Sequence, residues 1–229
     1  MSIKKQAKEQ RDNLQQGIYW VINPFVRMLI RMHITPNIVT TIGFLGNLAA
    51  AAVFVWAGME AEGSQPDFAL ITLAGALIIG FSLFDMLDGQ VARLGGMAST
   101  FGAMYDSVLD RYCELLTLGG IAFYLISIGQ MVGALLAFLA LVGSIMVSYV
   151  RARAEGLDIE CKIGFMQRPE RVVVTSVAAL ATGICGQCGV DFDANIILIV
   201  AMGIITVFAN LTAFARIAHC RRELVKAGR

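Results

Sequence analysis

Long apolar stretches dominate the chain and determine its predicted architecture. A helix needs about 20 mostly apolar residues to cross a hydrocarbon core of about 30 Å. Six stretches of roughly this length follow one another in the sequence, at 38–58, 68–92, 99–127, 131–150, 171–190 and 194–215. We therefore predict an all-α polytopic membrane protein with six transmembrane helices.

The N-terminal residues 14–34 have a different pattern, in which apolar and aromatic side chains such as Trp20 are mixed with Arg27 and Arg31. Such a mixture is typical of an amphipathic helix that lies in the membrane interface, and Pro24 would break or kink it. The whole chain is then one membrane domain. Its predicted parts are an interfacial segment at 1–35, a six-helix bundle at 36–217 and a tail at 218–229.

The composition supports a lipid environment, because 57% of the residues are hydrophobic, 15% are charged and the mean hydropathy is +0.71. A soluble domain is roughly 25% charged. The five cysteines are scattered and there are two histidines, which argues against a zinc site that needs four close Cys or His ligands. Cys185 and Cys188 could form a disulfide or be two small apolar residues. The net charge of +1 gives no electrostatic reason to expect a nucleic acid partner.

Lysine and arginine are concentrated in residues 1–37, in the link between the fourth and fifth stretches and in the C-terminal tail. The links near 59–67, 128–130 and 188–194 contain neither. By the positive-inside rule both termini are cytoplasmic, and an even number of spans requires the termini to lie on the same side. We expect an integral protein of the cytoplasmic membrane.

Four aspartates lie in otherwise apolar surroundings near the cytoplasmic ends of the second and third stretches: Asp85, Asp88, Asp106 and Asp110. Each would cost about 2.5–3.5 kcal/mol at the bilayer centre, so a compensating positive charge is expected. Within each pair the spacing is three or four residues, which places the two carboxylates on one helix face. The link between the two helices is short and glycine-rich, so the pairs can face each other.

Oxygen ligands without histidine favour Mg²⁺ or Mn²⁺, and four carboxylates could hold two such ions. Gly89 leaves space for a ligand, and Arg93, one turn further on, could meet an anion. Two other interpretations of the carboxylates are salt bridges and a water-filled pore. A transporter or channel for Mg²⁺ or protons is a third, although it predicts acidic residues on more than two helices.

The aspartates are part of a longer pattern, Asp85-x2-Asp88-Gly89-x2-Ala92-Arg93-x8-Gly102-x3-Asp106-x3-Asp110. This pattern matches the signature of the CDP-alcohol phosphotransferase family at its eight fixed positions, and on it the chain is identified as a member of that family. The predicted spans and the interfacial helix also resemble the family over nearly the whole chain.

The resemblance implies an enzyme that transfers a phosphatidyl-type group from CDP-diacylglycerol to an alcohol and releases CMP. It implies that Asp85, Asp88 and Asp106 are metal ligands, and that Asp110 contacts the second metal and acts as general base. Gly89 and Arg93, together with Asp85, would bind the nucleotide. A further pattern, Thr35-Pro36-Asn37-x2-Thr40, would help to wall the nucleotide pocket, but it is equally typical of a helix start with Pro36 in the first turn.

The basic link resembles the branch of the family that makes phosphatidylinositol phosphate in prokaryotes. By this resemblance Arg151, Arg171 and Arg216 would bind the phosphate of inositol phosphate, as arginines do through charge-assisted bonds. Glycerol phosphate or an uncharged alcohol such as inositol or serine stays open as the acceptor. Glu114 could be another metal ligand, or the partner of Arg111 or of a neighbouring helix. A homodimer is expected from the family alone.

Overall fold

The computed structural model describes residues 22–61 and 66–228, and this part of the chain is helical and contains no strand. A helical stretch at 22–31 comes first. Seven helices follow: α1 Pro36–Ala61, α2 Phe68–Ser82, α3 Phe84–Leu94, α4 Thr100–Ser127, α5 Met131–Glu155, α6 Arg168–Gln187 and α7 Asn195–Lys226. The prediction of an all-α fold is confirmed.

Within residues 22–61 and 66–228, four helical segments are long and apolar enough to cross a membrane: Pro36–Ala61, Phe68–Leu94, Met131–Glu155 and Asn195–Lys226. The other two predicted spans correspond to α4 and α6, which have 28 and 20 residues and carry charged side chains. The count of six spans therefore stays a prediction. The second predicted span is two helices, because the chain turns at Leu83 between α2 and α3.

The structure describes only part of the predicted N-terminal interfacial segment. Residues 22–31 are helical, as expected for the interfacial segment, and residues 14–21 lie outside the described residues. The next helix, α1, begins at Pro36, as the pattern Thr35-Pro36 predicts, because proline has a suitable φ for the first helical turn and lacks an N–H that would be unsatisfied there.

The described chain forms two compact units. The first contains residues 22–43 and Leu83–Leu109, and so holds α3, the start of α1 and the first part of α4. Its apolar core consists of Val26, Leu29, Val39, Leu87 and Val91. This small core fixes α3, the helix that carries Asp85 and Asp88.

The second unit contains the rest of α1, α2, α4 from Asp110 onwards and α5 to α7. Within it α2 packs against α6, α5 packs against α7, and α6 also contacts α7. Glycines allow close approach, since a β-carbon at Gly75 of α2 would lie 2.8 Å from the backbone nitrogen of Leu180 in α6. Because the described chain has two units, a single membrane domain stays a prediction.

Candidate active site

Three of the predicted metal ligands come together in the first unit. Asp85 lies in the first turn of α3, and Asp88 follows one turn later. Asp88 is only 6% exposed, and its Oδ2 accepts a 2.6 Å hydrogen bond from the hydroxyl of Thr40. The carboxylates of Asp85 and Asp106 are close enough to repel that of Asp88. The helical spacing and the core of this unit thus place three carboxylates near one another.

The chemistry of these side chains fits a hard divalent cation. All the donors are carboxylate or hydroxyl oxygens, and a buried carboxylate beside like charges is costly unless a cation compensates it. As they stand, no three carboxylate, cysteine or histidine side chains of the described residues are grouped tightly enough to hold an ion. The set of metal ligands therefore stays a prediction.

The residues predicted to bind the nucleotide lie beside these carboxylates. A β-carbon at Gly89 would meet only the guanidinium of Arg93, at 3.7 Å, so the surface of α3 is open there. Arg93 is exposed, and its Nε donates to the carbonyl oxygen of Gly89 at 3.2 Å. Thr40 donates to Asp88 rather than lining an open surface. The structure thus gives Thr40 a clear contact with a predicted metal ligand.

Asp110, the predicted base, belongs to the second unit and has an arginine partner that the sequence did not indicate. Its Oδ1 lies 2.7 Å from Nη2 of Arg168, and its Oδ2 lies 3.7 Å from Nη1 of Arg111. Arg168 is the first residue of α6. The sequence placed it in the basic link that resembles the phosphatidylinositol phosphate branch, without a role of its own. The signal that could have identified it is its spacing of three residues from Arg171, which puts both on one helix face.

Arg171 and Glu114 form a buried ion pair between α6 and α4. Nε and Nη2 of Arg171 donate to the two carboxylate oxygens of Glu114, the second bond at 2.9 Å. Nη1 donates to the carbonyl oxygen of Met166 at 2.9 Å, and Arg171 is 2% exposed. Of the alternatives for Glu114, the partner on a neighbouring helix is confirmed.

The other two predicted phosphate ligands are also held by the protein. Arg216 of α7 is 2% exposed and donates to the carbonyl oxygens of Val147, at 2.6 Å, and Ile163, at 2.8 Å. Arg151 pairs with Glu155 at 2.9 Å and is partly exposed. Arg171 and Arg216 bind carbonyl oxygens three residues apart in the same link, those of Met166 and Ile163, and the charges of Arg151 and Arg171 act on Arg216. Arg151 and Arg171 are each paired with a carboxylate, whereas the described bonds of Arg216 go to carbonyl oxygens.

The link between α5 and α6 is fixed to α7 near these arginines. The carbonyl oxygen of Glu160 lies 3.1 Å from Nε2 of His219, and Ile163 accepts its bond from Arg216. Burial raises the pKa of the Cys161 thiol, which also interacts with Cys220, whereas the exposed Glu160 has its pKa lowered by Lys162. Cys185 and Cys188, which could form a disulfide by their spacing, are both free thiols here.

Comparison with known proteins supports the family. The model of the CDP-alcohol phosphatidyltransferase family matches residues 33–214. The phosphatidylinositol phosphate synthase of Cutibacterium acnes is 32% identical over 92% of this chain and 97% of its own length. The archaetidylinositol phosphate synthase of Methanothermobacter thermautotrophicus is 36% identical over 82% of this chain and 89% of its own.

Solved structures agree with this. The phosphatidylinositol phosphate synthase of Mycobacterium tuberculosis with CDP-DAG bound is 27% identical, with a TM-score of 0.73 over 86% of this chain and 92% of that one. A second structure of that enzyme, in complex with manganese and citrate, also has a TM-score of 0.73. The family match covers most of the chain and includes every aspartate of the site, so the chain belongs to the CDP-alcohol phosphatidyltransferase family.

Proposed function

We propose that this enzyme transfers a phosphatidyl group from CDP-diacylglycerol to inositol phosphate, releases CMP and forms phosphatidylinositol phosphate. The observation that carries the proposal is that Arg171 and Arg216 bind carbonyl oxygens three residues apart in one link, those of Met166 and Ile163, with the charge of Arg151 acting on Arg216. A phosphate monoester suits such a site, because arginines bind phosphate through charge-assisted and often bidentate hydrogen bonds. Relatives named phosphatidylinositol phosphate synthase, one of them 32% identical, support the same acceptor.

The donor half of the reaction is assigned to the carboxylates. Asp85, Asp88 and Asp106 would hold Mg²⁺ or Mn²⁺, and Asp110 would contact a second ion. When bound, the metal neutralises the charge that develops on the departing nucleotide. Gly89 leaves room for the nucleotide to approach α3, and the hydroxyl of Thr40 orients the carboxylate of Asp88 through its 2.6 Å bond.

The acceptor half is assigned to the second unit. Arg151, Arg171 and Arg216 would bind the acceptor phosphate. Asp110 would take the proton from the acceptor hydroxyl as that oxygen attacks the phosphorus atom, since no histidine of the sequence lies near it along the chain and a carboxylate can serve as the base. Manganese in the structure of the M. tuberculosis enzyme supports a divalent cofactor.

We also propose that α4 and α6 cross the membrane, which would give six spans with both termini and the active site on the cytoplasmic side. The distribution of lysine and arginine along the chain supports this orientation. A homodimer, which the family resemblance implies, stays a prediction.

A screen of acceptors at fixed CDP-diacylglycerol tests the proposal. Purified protein is assayed for CMP release and for the lipid product with inositol phosphate, glycerol phosphate, inositol and serine. We expect turnover with inositol phosphate and little with the other three. Equal or faster turnover with glycerol phosphate would refute the acceptor, and no CMP with any acceptor in saturating Mg²⁺ or Mn²⁺ would refute the enzyme activity itself.

A further inference from the structure

Two ion pairs connect α4 and α6 side by side. Asp110 and Glu114 are four residues apart on α4, and Arg168 and Arg171 are three apart on α6, so each pair of side chains lies on one helix face. Asp110 pairs with Arg168 at 2.7 Å, and Glu114 binds Arg171 through both carboxylate oxygens. We call these two pairs the ion-pair ladder.

We propose that Glu114 and Arg168 are positioning residues for the transfer reaction, each acting through its partner in the ladder. Glu114 orients Arg171 toward the acceptor phosphate, and Arg168 orients the carboxylate of Asp110 toward the acceptor hydroxyl. This inference rests on the proposed function, because it gives Arg171 and Asp110 the roles stated there. Glu114 and Arg168 themselves touch neither substrate.

The contacts of Glu114 leave Arg171 little freedom. An arginine has five N–H donors in one plane, and three nitrogen atoms of Arg171 are each engaged: Nε and Nη2 by Glu114, and Nη1 by Met166. A bidentate pair fixes the plane of the guanidinium. The remaining N–H of Nη1 and the remaining N–H of Nη2 therefore have fixed directions. Donors fixed in this way suit hydrogen bonds to an acceptor phosphate.

Arg168 has the same effect on Asp110. Its guanidinium binds Oδ1 at 2.7 Å, while Oδ2 lies 3.7 Å from Nη1 of Arg111, so rotation of the carboxylate is restricted. Arg168 starts α6, and Pro169 follows it within the first turn, where proline is compatible with the helix. Arg168 and Arg171 therefore stand on the same rigid turn, and the distance between the two ladder pairs is set by helix geometry.

The acceptor must offer its phosphate and its hydroxyl to two fixed groups at once, and fixed groups of this kind raise reaction rates by orientation. A cavity of about 30 Å³ lies beside the ladder and is lined by Glu114, Arg168 and Arg171. Glu114 and Arg168 therefore border the same cavity as Arg171, the proposed phosphate ligand.

Steady-state kinetics of Glu114→Gln and Arg168→Gln test the proposal. Loss of a residue that orients a metal ligand typically costs about 10–100-fold in metal affinity or activity, and we use the same scale for both members of the ladder. We expect Glu114→Gln to raise the KM for inositol phosphate by at least about tenfold with a smaller change in kcat. Arg168→Gln should lower kcat by at least about tenfold with a smaller change in that KM, and Arg168→Lys should recover part of the loss. Glu223→Gln and Arg222→Gln, near the end of α7, are the matched controls.

The proposal is overturned if both variants lower kcat alike with KM unchanged, or if both behave like their controls. A double-mutant cycle of Glu114→Gln and Arg171→Gln on thermal unfolding measures the pair without activity. If the cycle shows coupling between Glu114 and Arg171 but the two variants do not differ in whether KM or kcat changes, the ladder is only structural. If Glu114→Gln does not fold, the comparison of Arg168→Gln with Arg168→Lys decides the proposal alone.

Failure of the proposed function gives a different result. If the wild-type protein has no turnover with inositol phosphate, the function is wrong whatever the variants do. The ladder is then tested by ligand binding. The measurement is the rise in melting temperature when inositol phosphate is added. A rise that Glu114→Gln removes and Glu223→Gln keeps supports the positioning of Arg171. An equal rise in both refutes it, and so does the absence of any rise in the wild-type protein.

Discussion

Replacement of Asp110 by asparagine should abolish turnover and leave nucleotide binding detectable, whereas Asp88→Asn should damage both. The reason lies in their surroundings. Asp110 pairs with Arg168 in the second unit, and its proposed role is to accept a proton. Asp88 is buried next to Asp85 and Asp106 and has the proposed role of holding a cation. The same change of carboxylate to amide therefore removes a base in one case and a metal ligand in the other.

The size of each effect follows from the contacts. A general base contributes about 10²–10⁴-fold in rate, which is about 3–5 kcal/mol. The amide oxygen of asparagine can still accept from Arg168, so a charge-assisted bond becomes an ordinary one and stability falls by only about 1 kcal/mol. Asp88→Asn keeps an acceptor for Thr40 and removes repulsion between carboxylates, so without metal its melting temperature should be unchanged or higher.

Two measurements separate these outcomes. CMP release gives the turnover, and the rise in melting temperature with Mn²⁺ and a cytidine nucleotide gives binding. Asp110→Asn should keep the rise and lose turnover, while Asp88→Asn should lose both. Asp158→Asn is the matched control, because it is exposed with a φ of 60°, a conformation that asparagine accepts. Equal and mild losses in both site variants would refute the assigned roles.

Three further predictions concern the metal, the link and the orientation. Removal of divalent cations with EDTA should abolish CMP release, and Mn²⁺ or Mg²⁺ should restore it; activity that survives EDTA would contradict a metal-dependent reaction. Gly164→Ala should reduce the free energy of unfolding by about 1–3 kcal/mol and so lower the melting temperature. The reason is that Gly164 has a φ of 115° and a β-carbon there would collide with Thr212. Gly189→Ala is its control, since that glycine also has a positive φ but its β-carbon would have no described atom within 4 Å. In a variant that keeps only Cys161 and Cys188, a membrane-impermeant maleimide should label the exposed Cys188 in intact cells; labelling only after permeabilisation would reverse the proposed orientation. Cys161 should react only after unfolding, because it is buried and burial raises the pKa of its thiol.

The local part of the site could be predicted from the sequence, because helical spacing alone determines which side chains share a face. Asp85 and Asp88 follow from α3, and the start of α1 at Pro36 follows from the chemistry of its first turn. The break at Leu83 could not be predicted. Leucine favours helices, so the apolar run from Phe68 to Leu94 contains no residue at that point that would end a helix.

The pairing between helices could not be predicted either. Glu114 and Arg171 are 57 residues apart, and hydrophobic periodicity shows which side of a helix is buried but not which helix covers it. The family resemblance assigned Arg171 to the acceptor phosphate and left Arg168 without a role. The structure adds the carboxylate that each arginine contacts, and it shows that Arg171 is held in a buried ion pair.

The ladder also bears on the number of membrane spans. The two predicted spans that are not apolar enough by themselves are α4 and α6, and the charges that lower their hydropathy include the four members of the ladder. A buried ion costs several kcal/mol when alone, but a paired and hydrogen-bonded one recovers much of that. Since Glu114 and Arg171 neutralise each other and Asp110 pairs with Arg168, the effective polarity of both helices is lower than a residue-by-residue count suggests. Helices of this kind can occupy the interior of a membrane bundle, where intramembrane charges face one another rather than lipid. The charges of the ladder are therefore compatible with the six spans that we propose.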